Sequence, residues 1–415
     1  MSDLILNEGY SSASIVIDEA YRCYLKDVNG CVYVDTTLGN GTHILGHSPK
    51  IVVDAIKKQI EKGLLYTTFN KHTYKAAKLI RECNPSVVES VVFCNSGSEA
   101  TMRAARISRA YTGRDKIAIF SGGWHGGNEL YLYDYNYHSN LEEVEHKSSG
   151  VPNIFKDSVI VLPYNSDKAF EIIEKNSDDI AMIIVEPAQG SNPRGDMLEF
   201  LQKLRNITKS KKIILCFDEI ITGFRVSLGG CSEYYNIQPD LVTYGKTLGG
   251  GLAIGVVAGV SRIMDVIQEK DNKPPVFMGG TFSANPLTMV VVQSLLEYLI
   301  NHKKEIYSNL SNKGAYIRKN INNYCIKNQV PLRIMGIGSM MRLVFSDRPI
   351  KSRRDRDLSE VDASLQKRFY KKMLSNGVFV NNNGILFLST VHSSDDIEKI
   401  ITSIILSTPI LTTQE

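Results

Sequence analysis

The chain has 415 residues, 43% of them hydrophobic and 22% charged, with a formal net charge of +4. This length favours one large domain with a smaller one, and the composition is typical of a globular protein in water. The charge is too small and too scattered for a nucleic-acid-binding protein, since the densest basic cluster, "KSRRDR" at 351–356, is interrupted by Asp355. We also find no run of the roughly 18 apolar residues that a membrane span requires. We therefore expect neither nucleic acid nor membrane as a partner.

The cysteines and the first residues bear on the cellular compartment. The seven cysteines form neither a C-x-x-C pair nor a Cys/His spacing typical of metal sites. Their odd number favours reduced thiols over a full set of disulfides. Because Cys94 and Cys216 lie inside apolar runs, we expect them to pack as small hydrophobic residues. The start, "MSDLILNEGYSS", lacks the basic and apolar regions of an export signal. We therefore expect a cytoplasmic protein without a metal site.

The first 50 residues predict a hairpin, because Asn29-Gly30 separates two strand-like runs in "CYLKDVNGCVYVDTT". Further along, short runs rich in Val and Ile each end in a polar or glycine-containing turn. These predicted strands are "VVFCN" (91–95), "KIAIF" (116–120), "SVIVLPY" (158–164), "IAMIIVEP" (180–187), "KIILCFDE" (212–219) and "DLVTYGK" (240–246). Helical patterns lie between several of them, for example at 98–111 and 196–209.

This alternation of strands and helices predicts an α/β fold, with a mainly parallel sheet covered by helices on both faces. Beyond about residue 300 the chain is rich in Lys and Asn and more helical, with a short predicted strand at 340–345. We therefore expect a large central domain over 56–300. A smaller α+β domain is expected to combine 1–55 and 301–415.

Ligands of open α/β sheets gather beyond the carboxyl ends of the strands, so the residues that follow each run are candidates for a site. Ser96-Gly97-Ser98-Glu99 has the form of a helix capping box, yet two hydroxyls and a glycine at a helix start also suit a phosphate. Asp218 follows a buried run directly. There it either caps a turn or stays ionised against a positive partner such as a protonated ring nitrogen.

Lys246 stands in "YGKTLGGG", where Gly-Lys-Thr suggests a P-loop, but Asp240 occupies the position of the required earlier glycine. A lysine at a strand end, followed by glycines that admit a ligand, indicates instead a partly desolvated amine. Desolvation lowers the pKa of an amine, and the neutral form attacks carbonyls to make a Schiff base. A lysine that merely reaches solvent is the alternative. A pyridoxal 5'-phosphate site contains a phosphate-binding loop, an aromatic residue, a carboxylate and a lysine, and the candidates here include all four.

The same segments carry a resemblance to a known family. The motifs "FCNSGSEA", "FSGGWHGG", "CFDEIITGFR", "YGKTLGGGLAIG" and "GGTFSANPLTM" resemble, in this order, those of the class-III aminotransferases. Within that class the chain is most similar to the glutamate-1-semialdehyde 2,1-aminomutases, from "VNGCVYVDTTLGNGTHILGHSPK" to "GVFVNNNG". The resemblance implies a fold-type I transferase that uses pyridoxal 5'-phosphate.

The resemblance also implies roles for individual residues. Lys246 would form the Schiff base with the cofactor, Asp218 would pair with the ring nitrogen, and Ile220 and Trp124 would cover the two ring faces. Three further residues, Ser96, Gly97 and Ser98, would bind the phosphate, and His125 lies in a matching motif. Gly280 and Thr281 resemble the segment that reaches the phosphate of the neighbouring subunit, which implies a homodimer with shared active sites.

The substrate region departs from the aminomutase pattern. The tract "GYSSASIVID" lacks the arginine that this family carries near its start, and "GVFVNNNGILFLSTV" has Ile385 and Leu386 near the position of a family glutamate. Arg225 and Arg342 are alternative anion contacts, although a structural role is favoured for each. We therefore expect an aminotransferase that passes through pyridoxamine phosphate and aminates a keto or aldehyde metabolite. The alternatives are glutamate-1-semialdehyde 2,1-aminomutase and a non-catalytic binding protein on the same fold.

Overall fold

A computed structural model describes residues 15–66, 68–136, 143–269 and 274–412. The chain divides into two compact units. The large unit comprises Lys50–Ser308 and Ile350–Leu358, and the small unit comprises the residues up to Pro49, Asn309–Pro349 and those from Ser359 onward. In the described part of the chain, none of the helices has the length and apolar character needed to cross a membrane.

The large unit is built on a seven-stranded sheet in the order β4-β12-β11-β10-β9-β5-β8. Its strands are β4 (Ser90–Cys94), β5 (Lys116–Phe120), β8 (Val159–Leu162), β9 (Ile180–Val185), β10 (Ile214–Asp218), β11 (Leu241–Tyr244) and β12 (Gly255–Gly259). The neighbours from β11 to β8 pair in parallel, whereas β12 is antiparallel to both β11 and β4. The predicted α/β fold with a mainly parallel sheet is confirmed, and each of the six predicted strands forms.

Strand β12 was missed in the sequence because "GVVAG" lies within a glycine-rich stretch, and glycine normally weakens a strand. The sheet nevertheless needs small residues at this position. A Cβ atom at Gly255 would lie 2.0 Å from the carbonyl oxygen of Ser96, and one at Gly259 would lie 2.4 Å from that of Asp240. Close backbone approach therefore explains the glycines.

Helices cover this sheet and place polar residues at its edge. They are α2 (Lys50–Ile60), α3 (Lys71–Cys83), α4 (Gly97–Thr112), α5 (Lys168–Lys175), α6 (Leu198–Ser210), α7 (Gly230–Tyr235), α8 (Ser261–Met264), α9 (Pro286–Asn301) and α11 (Arg353–Ser359). A two-stranded ribbon of β6 (Tyr133–Tyr135) and β7 (Val144–His146) completes the unit. The helices predicted at 98–111 and 196–209 are confirmed as α4 and α6. The core lies between α4 and the sheet, where Cys94 and Cys216 are buried as expected.

The small unit contains two sheets, in the orders β1-β2-β3-β15 and β13-β14-β16. The first is formed by β1 (Ile17–Tyr21), β2 (Tyr24–Asp27), β3 (Val32–Asp35) and β15 (Val378–Phe379), and the second by β13 (Arg333–Ile337), β14 (Met340–Val344) and β16 (Ile385–Phe387). The hairpin at Asn29-Gly30 and the strand at 340–345 are thus confirmed. Helices complete the unit: α1 (Leu38–Gly41), α12 (Ala363–Ser375), α13 (Ser394–Ser407), α14 (Pro409–Thr412) and most of α10 (Lys303–Lys327).

Candidate active site

The predicted site residues follow strands whose carboxyl ends meet at one edge of the large sheet. Ser96 comes after β4, Trp124 and His125 after β5, Asp218 ends β10, and Lys246 comes after β11. Because β4, β5, β10 and β11 all run in the same direction, their ends share this edge. The edge therefore collects the lysine, the acid and the hydroxyls that the sequence singled out.

The first turn of α4 places the side chains of Ser96 and Ser98 at the start of a helix. The N-cap residue Ser96 accepts a hydrogen bond from the backbone N–H of Glu99 at 3.2 Å, and Glu99 Oε2 accepts from the N–H of Asn95 at 2.8 Å. This differs from a full capping box, since the glutamate reaches the residue before the N-cap. Ser98 Oγ accepts from the N–H of Gly127 at 3.2 Å. Ser96, Gly97 and Ser98 remain partly exposed at the start of a 16-residue helix, where backbone N–H groups favour phosphate.

Ile220 connects this helix start to the lysine. Its side chain lies against two glycines, because a Cβ atom at Gly97 would be 3.0 Å, and one at Gly245 would be 3.2 Å, from Ile220 Cδ1. Gly245 directly precedes Lys246, so the helix start, Ile220 and the lysine are neighbours in space. The apolar side chain forms one wall of the space above the sheet edge.

Lys246 combines an unusual backbone with a desolvated amine. Its φ of 38° lies in the left-handed region, which side-chain-bearing residues rarely adopt and which is often found at functional sites. Burial lowers the pKa of Lys246, while the charges of Glu186 and Asp218 oppose this shift. A lowered pKa increases the fraction of neutral amine, the form that attacks an aldehyde.

Asp218 is buried, with 3% of its surface exposed, and is paired with His125. Its Oδ2 lies 2.7 Å from His125 Nδ1, while Oδ1 accepts from the N–H of Ile220 at 3.1 Å and from Thr243 Oγ1 at 3.2 Å. A carboxylate offers about four acceptor positions, so these contacts leave room for one more donor. Asp218 is thus oriented by three neighbours and remains able to accept from a ring N–H.

His125 is held so that it supports this carboxylate. Its backbone oxygen accepts from Thr101 Oγ1 at 2.6 Å, and its ring lies edge-on to Tyr131. Within the described chain, the other ring nitrogen, Nε2, is buried without a hydrogen-bond partner. Thr101 and Thr243 were missed in the sequence, since a threonine inside a helix or a β-strand gives no local sign of a role.

Glu186 orders the loop that carries the aromatic residue. Its Oε1 accepts from the N–H of Trp124 at 2.8 Å and its Oε2 from the N–H of Gly190 at 2.6 Å. Burial raises the pKa of Glu186, and the charge of His125 counters that effect. The indole of Trp124 itself is 60% exposed, so a large apolar surface faces outward beside the buried Asp218–His125 pair.

Gly280 and Thr281 lie on the exposed surface close to the start of α4. A Cβ atom at Gly280 would be 3.4 Å from Asn95 Nδ2 and 3.2 Å from Arg103 Nη2, and Arg103 donates to the carbonyl of Gly279 at 2.9 Å. Phe277 and Phe282 on either side of this pair are 73% and 62% exposed.

The two arginines considered as anion contacts are both largely buried, Arg225 in the large unit and Arg342 in the small unit. Burial lowers the pKa of Arg225 to about 10. Of the N-terminal tract "GYSSASIVID", which lacks the family arginine, the part up to Ser14 lies outside the described residues. Among the residues with a described position, no group of three His, Cys, Asp or Glu side chains could hold a metal ion.

These residues fit pyridoxal 5'-phosphate. The helix start offers hydroxyls and N–H groups to a phosphate, Asp218 has an open acceptor position for a ring nitrogen, and Lys246 supplies a desolvated amine for an aldehyde. The glycines at 97 and 245 allow the side chain of Ile220 to pack directly against the backbone at both positions. Together with the sheet topology, this donor set defines the class of pyridoxal-phosphate-dependent transferases.

Comparison with known proteins identifies the family. The model of the family "Aminotransferase class-III" matches residues 5–406, and the chain belongs to this family. It is 36% identical over 383 residues to the glutamate-1-semialdehyde 2,1-aminomutase of Methanothermobacter thermautotrophicus, covering 91% of this chain and 88% of that protein. The enzyme is therefore a class-III, pyridoxal-phosphate-dependent aminotransferase or aminomutase of fold type I.

Solved structures lead to the same class. An omega-transaminase from Sphaerobacter thermophilus superposes with a TM-score of 0.92 at 28% identity, covering 99% of this chain and 94% of that chain. A beta-phenylalanine aminotransferase from Variovorax paradoxus superposes with a TM-score of 0.85 at 28% identity, covering 97% and 90%. The family, the fold and the cofactor inferred from the sequence motifs are confirmed.

Proposed function

We propose that this enzyme transfers an amino group from a small-molecule amine to a keto or aldehyde metabolite, with Lys246 as its catalytic residue. The observation that carries this proposal is the position of Lys246, which follows β11 beside the strand that ends at Asp218. Lys246 comes directly after Gly245, where a Cβ atom would lie 3.2 Å from Ile220 Cδ1. Ser96, Gly97 and Ser98 would hold the cofactor phosphate, Asp218 the ring nitrogen, and Ile220 and Trp124 the ring faces. His125 would hold Asp218 in place through the 2.7 Å contact.

Pyridoxal phosphate supplies an aldehyde for the substrate amine and a ring that accepts negative charge from the carbon being deprotonated. The chain supplies the proton transfers. The neutral Nζ of Lys246 takes a proton from the substrate carbon and returns it at another position, because its lowered pKa keeps part of the amine unprotonated. The negative charge of Asp218, buried and oriented by Thr243 and Ile220, would favour the protonated form of a ring nitrogen placed beside it.

A panel of amines tests this function. The cofactor-loaded enzyme is mixed with each amine alone, and then with a keto or aldehyde acceptor, while the absorbance of the bound cofactor is followed. We expect at least one amine to abolish the absorbance of the aldehyde form and a carbonyl compound to restore it. Absence of any change across a broad panel would favour the non-catalytic alternative.

The aminomutase is the second candidate, because curated relatives with 32–36% identity bear that name. An aminotransferase is preferred here since residues 377–391 hold no Lys or Arg that could bind a substrate carboxylate. The two reactions differ in their need for a second substrate. Glutamate-1-semialdehyde supplied alone should remain largely unconverted, whereas efficient formation of 5-aminolevulinate would establish the aminomutase.

We further propose that the enzyme is a cytoplasmic homodimer in which Gly280 and Thr281 reach the phosphate site of the other subunit. Support comes from the aromatic residues around this segment, since Phe277 and Phe282 are highly exposed, and exposed apolar clusters mark protein interfaces. The seven cysteines, all within the described residues, are free thiols, as expected in a reducing compartment.

The dimer proposal is tested by light scattering of wild type, Phe282→Asp and Ile326→Asp. Ile326 is a matched control, because it is 66% exposed but lies on α10 in the small unit. We expect Phe282→Asp to shift the mass towards the monomer and to release cofactor, and Ile326→Asp to do neither. A monomeric wild-type enzyme with full activity would contradict shared sites.

A further inference from the structure

A second pocket opens beyond the carboxyl ends of β5 and β8, with a volume of 230 Å³. Its lining includes Ser121, which follows β5, and Pro163 and Tyr164, which follow β8. Residues of the segment Lys351–Asp355 line it as well. The described residues that line it include none of the proposed cofactor-binding residues, so it is a separate cavity at the same edge of the sheet.

The pocket is lined by an excess of positive charge. Among the described lining residues, Lys168 from the first turn of α5, Lys351 and Arg354 are cations, and Asp355 is the carboxylate. The carboxylate is engaged with its own segment, since its Oδ2 accepts from the backbone N–H groups of Lys351 and Ser352, both at 3.0 Å. Counted over all its described lining residues, Asp355 included, the pocket has a net charge of +2, and Asn165, Ser166 and Ser352 add polar side chains.

We propose that this pocket binds the phosphoryl group of a small phosphorylated metabolite or inorganic phosphate. A phosphate monoester carries a charge of about −1.5 to −2 at neutral pH, which matches the lining better than a single carboxylate does. Drug-sized ligands occupy pockets of about 300–1,000 Å³, so the smaller volume here suits one phosphoryl group with a short organic part. Lysine and arginine form strong, charge-assisted hydrogen bonds with phosphate oxygens, and here they come from two different segments of the chain.

A ligand in this pocket would act on the loop that carries Trp124 and His125. The segment that supplies Lys351 and Arg354 also packs on that loop, because a Cβ atom at Gly122 would be 2.8 Å from Arg353 Cβ. Arg356 donates to the carbonyl of Ser191, and Ser191 Oγ donates to the carbonyl of Gly122 at 2.7 Å. A phosphoryl group held between Lys168 and this segment would therefore stabilise the loop as well.

Calorimetric titration of the cofactor-loaded enzyme with inorganic phosphate tests the proposal, since the cofactor already fills its own phosphate site. We expect saturable binding that weakens by about tenfold for each lost charged contact, in both Lys168→Met and the double variant Lys351→Met/Arg354→Met. Lys168 lies on a different segment from the other two, so a local distortion of one segment cannot explain both losses. The control is Lys175→Met, at the exposed end of the same helix α5 and outside the pocket.

Two further titrations define the ligand. Glycerol phosphate that binds more tightly than inorganic phosphate would indicate a phosphorylated metabolite, and equal affinities would indicate phosphate itself. Succinate that binds more tightly than either would overturn the assignment to a phosphoryl group. Phosphate binding that is absent, or equal in wild type and in all charge variants, would show that the pocket is not an anion site.

Discussion

The carboxylate of Asp218 allows a direct test of the proposed chemistry, because Asp218→Asn removes a charge while keeping the shape of the side chain. The asparagine oxygen can still accept from Ile220 N–H and Thr243 Oγ1, as Oδ1 does at 3.1 and 3.2 Å. The amide nitrogen then takes the place of Oδ2, and its 2.7 Å contact with His125 Nδ1 survives if that ring nitrogen accepts. The variant therefore isolates the effect of the negative charge on a ring nitrogen.

The size of the effect follows from Coulomb's law. Two unit charges about 3 Å apart attract by about 5 kcal/mol at an effective dielectric constant of about 20. Since each 1.36 kcal/mol corresponds to a factor of ten in rate, about 10⁴-fold is the upper bound for the loss of turnover. The hydrogen bond that asparagine retains compensates part of this, so we expect turnover to fall by about 10²–10³-fold.

Turnover is measured with any amine and acceptor found active in the panel, together with the amount of cofactor bound. Asp240→Asn is the control, since Asp240 lies before β11 at the opposite edge of the sheet and pairs with Arg205 at 2.7 Å. This control should lose stability and keep its turnover. Wild-type turnover in Asp218→Asn, with cofactor fully bound, would refute the role assigned to the carboxylate.

Three other variants test the lysine and its surroundings. Lys246→Ala should fold and lose measurable turnover. Borohydride reduction should attach cofactor covalently to wild type but not to the variant, as measured by mass spectrometry. Substantial remaining turnover would exclude the catalytic role. Glu186→Gln removes a charge that raises the pKa of Lys246. The pH midpoint of covalent cofactor uptake should therefore fall. An unchanged or higher midpoint would contradict an electrostatic effect of Glu186 on Lys246. Burial raises the pKa of Glu219 from 4.5 to about 7, so Glu219 contributes stability that is complete below pH 4.5 and is lost as the pH rises through 7. This lost contribution to the free energy of unfolding amounts to about 3 kcal/mol. The melting temperature of Glu219→Gln should therefore fall less between about pH 5 and about pH 8 than that of wild type. Equal falls in the two proteins would rule out this titration.

Local patterns in the sequence were sufficient for six of the seven strands of the large sheet and for the helices α4 and α6. Runs of Val and Ile predicted the strands because buried parallel strands need apolar residues on both faces, as in β9. The Ser-Gly-Ser-Glu tetrad predicted the start of α4 because capping depends on residues three positions apart. Strand β12 was missed because its glycines are required by backbone atoms that are distant in the chain. A Cβ atom added at Gly255 or Gly259 would lie 2.0 or 2.4 Å from a carbonyl oxygen.

The residue types of the site were likewise evident in the sequence, whereas their contacts were not. Lysine, aspartate and paired serines at strand ends predict an amine, a carboxylate and hydroxyls at the site. These groups can be read from the sequence because each belongs to a single residue. The pairing of His125 with Asp218, 93 positions apart, depends on the order of strands in the sheet. The contact of Ile220 with two glycines and the packing of Arg353 on Gly122 also join segments that are distant in the chain. Long-range packing sets these distances and the burial that shifts the pKa of Lys246, and no local pattern encodes either.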